Sequence, residues 1–298
     1  MGLMGLGRMG VKWRTGALMA TGLVAASGTC AFAGDSTPLD LSYDLSLGGL
    51  TVMSFEFDVE TNGDHYAVDF SGRTRGMLSL LGSGYVVSSS QGRLLPDGTP
   101  EPEVYASHSD GNEGEKRTQI QFDQNGPARW NAMPQPGSDG EQLTPIPADS
   151  IPGTRDLLSG LLDMAATLSK DQSCTQQLKI FDGRRRFDLK FSDRGEDIVV
   201  PEGAGFYAGP AQHCHLDFVR LGGYPTDPAK RLAGDDAEFW LAHVLPNEPP
   251  VPVEIVFKGR LGMMHARLSQ ARHGDNERSA PTQKPQSAAV IPTIDNPR

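Results

Sequence analysis

Alternating apolar and polar side chains, interrupted by glycine turns, restrict the fold of this chain most strongly between residues 39 and 73. Successive side chains of a β-strand point to opposite faces, so a period of two predicts strands with one apolar face. Gly48-Gly49 and Asn62-Gly63 are turn signals that separate three such runs. The pattern predicts a three-stranded antiparallel meander with an apolar face made of Leu41, Tyr43, Leu45, Leu47, Met53, Phe55, Phe57, Val59, Tyr66, Val68 and Phe70.

Strand patterns recur through the rest of the chain. Asp182-Gly183 is a further two-residue hairpin signal, between apolar positions at Leu178 and Ile180 and the returning Phe187, Leu189 and Phe191. With the meander, these patterns amount to about eleven strands. The other predicted strands lie near 85–87, 116–122, 211–220, 237–244, 251–258 and 262–270.

A helix is predicted over residues 155–169, with Thr154 or Asp156 as its N-cap. Its apolar residues recur at helical spacing and share one face. Packing against the sheet explains this face, and the alternative is a helix that plugs a curved sheet and moves for a ligand. The face consists of Leu157, Leu158, Leu161, Leu162, Ala165 and Leu168.

Two segments lack periodicity. Residues 134–153 contain five prolines and predict a linker or crossing loop, with a ligand-facing lid as the alternative. Residues 273–298 are polar and rich in proline, which predicts a disordered tail. Residues 34–272 are therefore expected to form a single antiparallel β domain.

The first 33 residues have the pattern of a secretory signal peptide. Three basic residues precede a short apolar run from Gly16 to Phe32, and small residues at Ala31 and Ala33 predict cleavage after Ala33. No later segment approaches the roughly 20 apolar residues that span a bilayer. We expect an exported, periplasmic protein without a transmembrane span.

Cleavage would leave an acidic chain with two cysteines. It removes Cys30 and three basic residues, so the formal charge changes from −10 to about −13. Such a chain should repel nucleic acid and anionic lipid surfaces. Cys174 and Cys214 remain, and an oxidising compartment favours their pairing, with two buried free thiols as the alternative. The residues before Cys30 do not form a lipoprotein signal.

Two clusters contain residue types that bind metals or transfer protons. His213 and His215 share one face of a predicted strand, but spacing places no third ligand beside them, so we assign no metal site. Asp235-Asp236 with Glu238 lacks the glycine and alternating ligands of a calcium loop. It is interpreted as a solvated acidic turn.

Arg184-Arg185-Arg186 is the densest basic cluster. Strand alternation directs Arg184, Arg186 and Lys190 to one face. Arg185 then joins the apolar face of Phe187, Leu189 and Phe191, where it would meet a buried carboxylate or the headgroup of a bound amphiphile. A solubilising hairpin is the alternative.

Motifs of nucleophilic and metal catalysis are missing from the sequence. It has no Gly-x-Ser-x-Gly, no Ser-x-x-Lys, no phosphate-binding glycine loop and no His-Glu-x-x-His. We assign no catalytic residue and no cofactor.

Several short sequence segments together resemble one exported Gram-negative family, catalogued as domain of unknown function 3108. They lie in order within residues 39–270 and include YDLSLGGL from Tyr43, LKIFDGRRRFDL from Leu178, YAGPAQHC from Tyr207, Gly222-Gly223-Tyr224, and Phe239-Trp240-Leu241. The resemblance implies an exported antiparallel β protein in which Cys174 and Cys214 form a disulfide. It implies no activity.

The predicted fold is mainly β: a strongly curved antiparallel sheet or half-open barrel with one long amphipathic helix, similar to the periplasmic lipoprotein carriers. A closed barrel and a two-sheet sandwich are the alternatives. Such a sheet has more apolar interior than one helix fills, which predicts non-enzymatic binding of a lipid or other amphiphile in envelope biogenesis. A structural or interaction module that contacts an envelope protein is the second hypothesis, and an envelope hydrolase is the third. The candidate ligand-binding residues are Phe55, Phe57, Phe70, Arg185, Phe187, Leu189 and Phe191.

Overall fold

The alternating segments of the sequence form β-strands in the computed structural model, which describes residues 38–76, 84–111, 114–200, 202–203, 205–227 and 233–279. Helix α1 spans Leu157–Asp171, and a short 3-10 helix spans Ala148–Ser150. The strands are β1 (Leu39–Leu47), β2 (Leu50–Asn62), β3 (His65–Thr74), β4 (Tyr85–Leu94), β5 (Pro100–Asp110), β6 (Lys116–Asp123), β7 (Gly126–Met133), β8 (Gln176–Phe181), β9 (Arg186–Val199), β10 (Gly209–Gly222), β11 (Ala233–Ala242), β12 (Val251–Gly259), β13 (Gly262–His273) and β14 (Asn276–Ser279).

Within the described residues, all the strands belong to one antiparallel sheet. Its order is β7-β6-β5-β4-β3-β2-β1-β13-β12-β11-β10-β9-β8, with β14 added beside β13. Most neighbours are consecutive in the chain, as the turn signals predict. The pairing of β1 with β13, in which Leu45 lies opposite Ala266, joins the two halves of the chain. The predicted fold class is confirmed, as a nearly closed barrel with more strands than the eleven expected.

The seam between β7 and β8 is bridged by side chains and by a short extended segment. The backbone of Arg155 pairs with β8: its N–H donates to the Lys179 carbonyl, and its carbonyl accepts from the Phe181 N–H, both at 3.0 Å. Across the seam, Arg184 Nη2 donates to the Met133 carbonyl at 2.7 Å, and Trp130 packs edge-on against Phe181. The two ends of the sheet therefore meet without a continuous ladder.

The hairpin between β8 and β9 shows why the seam residues approach so closely. β8 ends at Phe181 and β9 begins at Arg186, and the Asp182 N–H donates to the Arg185 carbonyl at 3.2 Å, so Gly183 and Arg184 form the tip of the hairpin, one position after the predicted Asp182-Gly183 turn. Gly183 has φ of +83°, and a Cβ there would lie 2.3 Å from Thr118 Cγ2. Only glycine fits this position without displacing β6.

Helix α1 is anchored at both ends. Asp156 is the N-cap, accepting from the Ser159 N–H at 3.0 Å, which selects one of the two predicted caps. At the other end, Cys174 follows the helix closely and forms the disulfide with Cys214 of β10. The predicted pairing is confirmed, and it closes a loop across a sequence separation of 40. Among the described residues, no helix is long and apolar enough to cross a membrane.

The Pro-rich segment before α1 is hydrogen-bonded to the sheet. The Thr144 N–H donates to the Tyr224 carbonyl and the Gly223 N–H to the Thr144 carbonyl, each at 2.8 Å. Arg186 Nε donates to the Ser150 carbonyl at 2.7 Å, which leaves Arg186 buried rather than on a polar outer face. This part of the segment therefore packs as a covering loop over the ends of β9 and β10.

The C-terminal boundary differs from the expected one. β13 continues through His273 and pairs with β14 within the range that the composition assigns to a tail. Backbone pairing with a neighbouring strand can order polar residues that have no apolar pattern of their own. The predicted signal peptide, its cleavage after Ala33, and residues 280–298 lie outside the described residues.

Candidate functional site

A cavity of about 310 Å³ lies between helix α1 and the inner face of the sheet. Helix, meander and β12 contribute to its wall, and a proline-rich turn before β12 borders one side. The wall consists of Leu39, Leu41, Tyr43, Phe55, Phe57, Val59, Val68, Phe70, Leu158, Leu161, Leu162, Met164, Ala165, Phe239, Pro249, Pro250, Val251, Pro252, Ile255, Phe257 and Ala266.

Aromatic rings of the meander form one side of the cavity. Phe57 packs against Phe70, with ring centroids 4.8 Å apart, and meets Tyr43 edge-on at 5.8 Å. Phe55 stacks on Phe70 at 5.8 Å. Strand register produces this row, because Tyr43 lies opposite Phe55, and Phe57 opposite Phe70. Cross-strand aromatic pairs stabilise the sheet while leaving a smooth apolar surface.

The helix forms the opposite side, and its position is set by a buried polar network around its first turn. Asp156 is fully buried, and its carboxylate accepts from Ser159 Oγ at 2.5 Å and from Ser90 Oγ at 3.0 Å. The Tyr66 hydroxyl lies 2.8 Å from Ser159 Oγ. Burial raises the pKa of Asp156 above its usual range, although the hydrogen bonds from Ser159 and Ser90 oppose that shift.

A glycine in the same turn brings the helix close to β8. A Cβ on Gly160 would lie 2.8 Å from Ile180 Cδ1, so a larger residue there would push the helix into the cavity. Arg155, whose backbone pairs with β8, also binds the helix, because its Nη1 lies 2.9 Å from the Asp163 carboxylate. The helix is thus held against β8, and the cavity remains on its side facing β1, β2 and β3.

Among the residues that the structure describes, the cavity wall has no charged side chain. Every residue in it is apolar apart from Tyr43, and burial raises the pKa of the Tyr43 hydroxyl, so this group is neutral at ordinary pH. An apolar wall favours hydrocarbon, since a polar group inside would lose its hydrogen bonds with water.

Three of the seven candidate ligand-binding residues lie in this wall, namely Phe55, Phe57 and Phe70. Phe187, Leu189 and Phe191 instead belong to a filled core on the other flank of the helix. We call this region the packed cluster; it contains Met164, Leu168, Cys174, Leu178, Ile180, Phe187, Leu189, Phe191, Cys214, Leu216, Tyr224, Phe239 and Leu241. Phe187, Leu189 and Phe191 are buried because they pack in one cluster with Met164 and Leu168 of α1.

Arg185 lies away from the cavity. Its guanidinium binds Asp182 in the same loop, with Nε donating to Oδ2 at 2.8 Å, and lies over the Tyr224 ring at 5.9 Å. It therefore meets a carboxylate, one of the two partners expected for it. The Asp182 side chain is only 12% exposed, in agreement with the expected buried carboxylate, and Arg185 does not line the cavity.

His213 and His215 converge on Glu238 of the neighbouring strand. His213 Nε2 lies 2.8 Å from Oε2, His215 Nδ1 lies 2.7 Å from Oε1, and His213 stacks on Trp240. The hydrogen bond to Glu238 raises the pKa of His215. No group of three or more metal-ligating side chains suited to a metal ion occurs in the described part of the chain. The three side chains form a hydrogen-bonded surface cluster.

The acidic residues beside Glu238 are also engaged in the sheet. Asp235 pairs with Arg220 of β10, and Asp236 lies opposite Asp217 in the strand register. Of the three acidic residues Asp235, Asp236 and Glu238, it is Glu238 that contacts His213 and His215. The triplet does not form a shared ligand set.

Two further hollows lie on the outer face of the barrel. One of about 810 Å³ crosses the outer faces of β3 to β7 and is lined mostly by serine and charged or amide side chains such as Asp69 and Gln119. Another of about 490 Å³ borders the β1–β2 turn. Both are open to solvent, and neither has the continuous apolar wall of the inner cavity.

Sequence patterns missed most of the cavity beyond the meander. The cavity is also lined by Ile255 and Phe257 of β12 and by the Pro249-Pro250 turn. The sequence shows the alternation of β12, but alternation does not indicate which strands face an unfilled interior. The network of Asp156, Ser159 and Ser90 was also missed, apart from the capping signal at Asp156.

Comparison with known proteins gives a family and a distant structural likeness. The family DUF3108, described as a protein of unknown function, matches residues 42–264. No curated protein matches the chain. The crystal structure of a β-barrel-like protein of domain of unknown function DUF1849 from Brucella abortus is 12% identical, covering 80% of this chain and 99% of that one, with a TM-score of 0.45.

Proposed function

The chain belongs to the DUF3108 family of unknown function, and we propose that it binds the hydrocarbon part of a lipid or other amphiphile in the cavity between α1 and the sheet. One observation carries the proposal: a cavity of about 310 Å³ whose wall is apolar throughout, apart from a neutral tyrosine. Ligand pockets commonly measure about 300–1,000 Å³. The volume suits one hydrocarbon chain or a small ring system rather than a lipid with several chains.

The charge distribution supports an amphiphile held by its apolar part. No side chain of the wall can pair with a charged headgroup, so a headgroup would remain at the opening, in water. Affinity then comes from apolar surface removed from water, at roughly 25 cal/mol per Å². Such a site binds by shape and hydrophobicity, and it has no group for acid–base or nucleophilic chemistry.

The disulfide supports export as the setting of this function. Disulfides persist in oxidising compartments, among them the bacterial periplasm, and Cys174 and Cys214 are both fully buried and bonded to each other. We place the mature protein in the periplasm after removal of residues 1–33, where an amphiphile carrier would serve envelope biogenesis. Mass measurement of the protein recovered from the periplasm tests this: an N-terminus at Gly34 is expected, and full-length protein in the cytoplasm would contradict it.

Two matched alanines test the cavity itself. Ala165 lines it, whereas the neighbouring Ala166 does not. Ala165→Leu should fill part of the cavity and weaken binding of dansylated undecanoic acid, measured by fluorescence, about tenfold. Ala166→Leu, the same change one position along the helix, should bind as the unmodified protein does.

Native mass spectrometry of purified protein extends the test to natural ligands. We expect an adduct with the mass of a lipid, and a rise in melting temperature when lipids are added to delipidated protein. Protein without any adduct that is not stabilised by any member of a lipid panel would contradict the proposal. Equal probe binding by the two leucine variants would also contradict it.

A structural or interaction module of the envelope is the second candidate, and the edge of the sheet favours it. β7 is a terminal strand in the pairing order, and its Met133 side chain is exposed. An edge strand offers backbone groups to a partner's strand. Crosslinking in intact cells through a photoreactive residue at position 133 should capture one protein if this function holds, and no defined product if the chain is only a carrier.

A further inference from the structure

Two β-turns at one end of the barrel expose large apolar side chains. The β1–β2 turn presents Leu50, which is 64% exposed, and the β12–β13 turn presents Leu261 at 72% and Met263 at 50%. The turns are neighbours because β1 pairs with β13, with Leu47 opposite Met264. We call these two turns the leucine rim. Exposed leucines this close together are costly in water unless they meet an apolar phase or a partner.

Apolar side chains continue from the leucine rim to the cavity wall. Below the turns lies a cluster of Leu45, Val52 and Ala266, against which Leu47 and Met264 pack from the rim side. Phe55, Ile255, Phe257 and Ala266 belong both to this cluster and to the cavity wall. These side chains fill the space between the rim and the cavity, so a hydrocarbon chain that reaches the cavity from the rim would have to displace them and would contact apolar groups as it does so.

The charges at the rim suit anionic headgroups, although the whole chain is acidic. Lys258 and Arg260 are exposed and precede Leu261. Of the carboxylates that border the hollow beside the two turns, Glu202 forms an ion pair with Arg267 at 3.1 Å, and Asp44 accepts a hydrogen bond from the neutral hydroxyl of Ser54 at 2.7 Å. Exposed leucines beside lysine and arginine are typical of surfaces that bind the interface of an anionic bilayer.

We propose that the leucine rim docks on a lipid bilayer with anionic headgroups, so that a hydrocarbon chain passes between the bilayer and the cavity. The transfer of a hydrocarbon chain in this proposal rests on the proposed function of the cavity. The docking itself depends only on Leu50, Leu261, Met263 and the two cations. Leu50 and Leu261 would enter the headgroup region, while Lys258 and Arg260 would contact phosphates.

The opposite end of the barrel offers a matched control. Ile198 is as exposed as the rim leucines, at 65%. It lies at the far end because the end of β9 pairs with the start of β10, and that end of the sheet continues through the end of β11 to the start of β12. If aspartate at the rim reduces vesicle binding and aspartate at the far end does not, the loss is specific to the rim and is not a general effect of replacing an exposed apolar residue.

Vesicle flotation with the purified protein tests the docking. We expect it to float with vesicles of phosphatidylcholine and phosphatidylglycerol, and less with phosphatidylcholine alone. Leu50→Asp with Leu261→Asp should reduce the floated fraction about fivefold or more, and Lys258→Gln with Arg260→Gln should remove the preference for phosphatidylglycerol. Leu261→Asp alone should also reduce flotation, whereas Ile198→Asp should float as the unmodified protein does. No flotation of the unmodified protein, or an equal loss in Leu261→Asp and Ile198→Asp, would overturn the proposal.

Binding of dansylated undecanoic acid separates docking from the cavity function. The rim variant should still bind this probe in solution, whereas Ala165→Leu should bind vesicles normally and bind the probe about tenfold more weakly. If the rim variant floats poorly and the probe binds neither protein, the cavity function fails while docking stands. If the probe binds and flotation is insensitive to the rim, docking fails alone.

Discussion

Helix α1 separates two apolar regions that the sheet builds from the same alternating pattern. On one flank, Phe187, Leu189 and Phe191 are fully packed by the helix and by the disulfide. On the other flank, Phe55, Phe57 and Phe70 are only partly buried and border the cavity. The helix cannot fill both sides of a wide barrel at once. Its anchors at Asp156, Gly160 and Cys174 decide which side is core and which is cavity.

The packed cluster should be the more sensitive of the two regions to truncation. Phe187→Ala should lower the free energy of unfolding by about 3–5 kcal/mol, because it creates a void in a filled core. Phe57→Ala removes the same atoms from a partly buried position and should cost about 1–2 kcal/mol. Urea denaturation of both variants checks the comparison. Equal losses would mean that the cavity side is packed as tightly as the other flank.

The disulfide should stabilise the packed side. Replacing Cys174 and Cys214 with alanine opens the loop across a sequence separation of 40 and should lower the free energy of unfolding by about 4 kcal/mol on the chain-entropy estimate. Thermal unfolding with and without a reducing agent measures it. The reductant should destabilise the unmodified protein and leave the double variant unchanged. A double variant as stable as the unmodified protein would contradict this role.

The buried network should make helix anchoring depend on pH. Burial raises the pKa of Asp156 in the folded state, so the folded protein binds this proton more tightly than the unfolded chain, where the pKa is about 3.9. The stabilisation from Asp156 is then fully present below about pH 3.9 and is lost as pH rises through the folded-state pKa. Asp156→Asn keeps an N-cap and should remove this part of the pH dependence, measured by urea titrations from acid to neutral pH. Asp156→Ala also loses the cap, costing about 1–2 kcal/mol.

An unchanged pH dependence in Asp156→Asn would show that other groups determine it. Tyr66→Phe provides the matched control, because it deletes the hydroxyl that binds Ser159 while leaving the carboxylate in place. This variant should retain the pH dependence and lose about 1 kcal/mol.

The smallest effect should come from the surface cluster, which belongs to neither region. The hydrogen bond to Glu238 raises the pKa of His215, so the stabilisation from this pair is present below pH 6.5 and is lost as pH rises through the folded-state pKa. Glu238→Gln should lower the pKa of His215 in an NMR titration and change the free energy of unfolding by less than about 1 kcal/mol. An unmoved His215 titration would show that Glu238 is not its main partner, and a change in probe binding would show that the cluster communicates with the cavity.

Local pattern predicted the strands well because each strand carries its own alternation and its own turn signal. The Gly48-Gly49 turn is an example: Leu47 pairs with Leu50 as expected. The division into core and cavity was not predictable in this way. Phe55, Phe57 and Phe70 alternate as Phe187, Leu189 and Phe191 do, and only the position of the helix distinguishes them.

The helix position depends on contacts that are distant in the sequence. The bond between Ser90 and Asp156 joins residues 66 positions apart, and the pairing of Ser42 with Gln270 closes the sheet over a still longer separation. A period of two or of 3.6 residues indicates which face of a strand or helix is apolar. It does not indicate which other strand or helix packs against that face.

The site of a bound hydrocarbon chain tests the central claim most directly. Intermolecular NOEs between decanoic acid and the methyl groups of the protein would locate it. We expect NOEs to Leu41, Leu161 and Ala165, which line the cavity, and none to Leu178 or Leu216 of the packed cluster. NOEs confined to Leu50 and Leu261, or no NOEs at saturating decanoic acid, would contradict binding in the cavity.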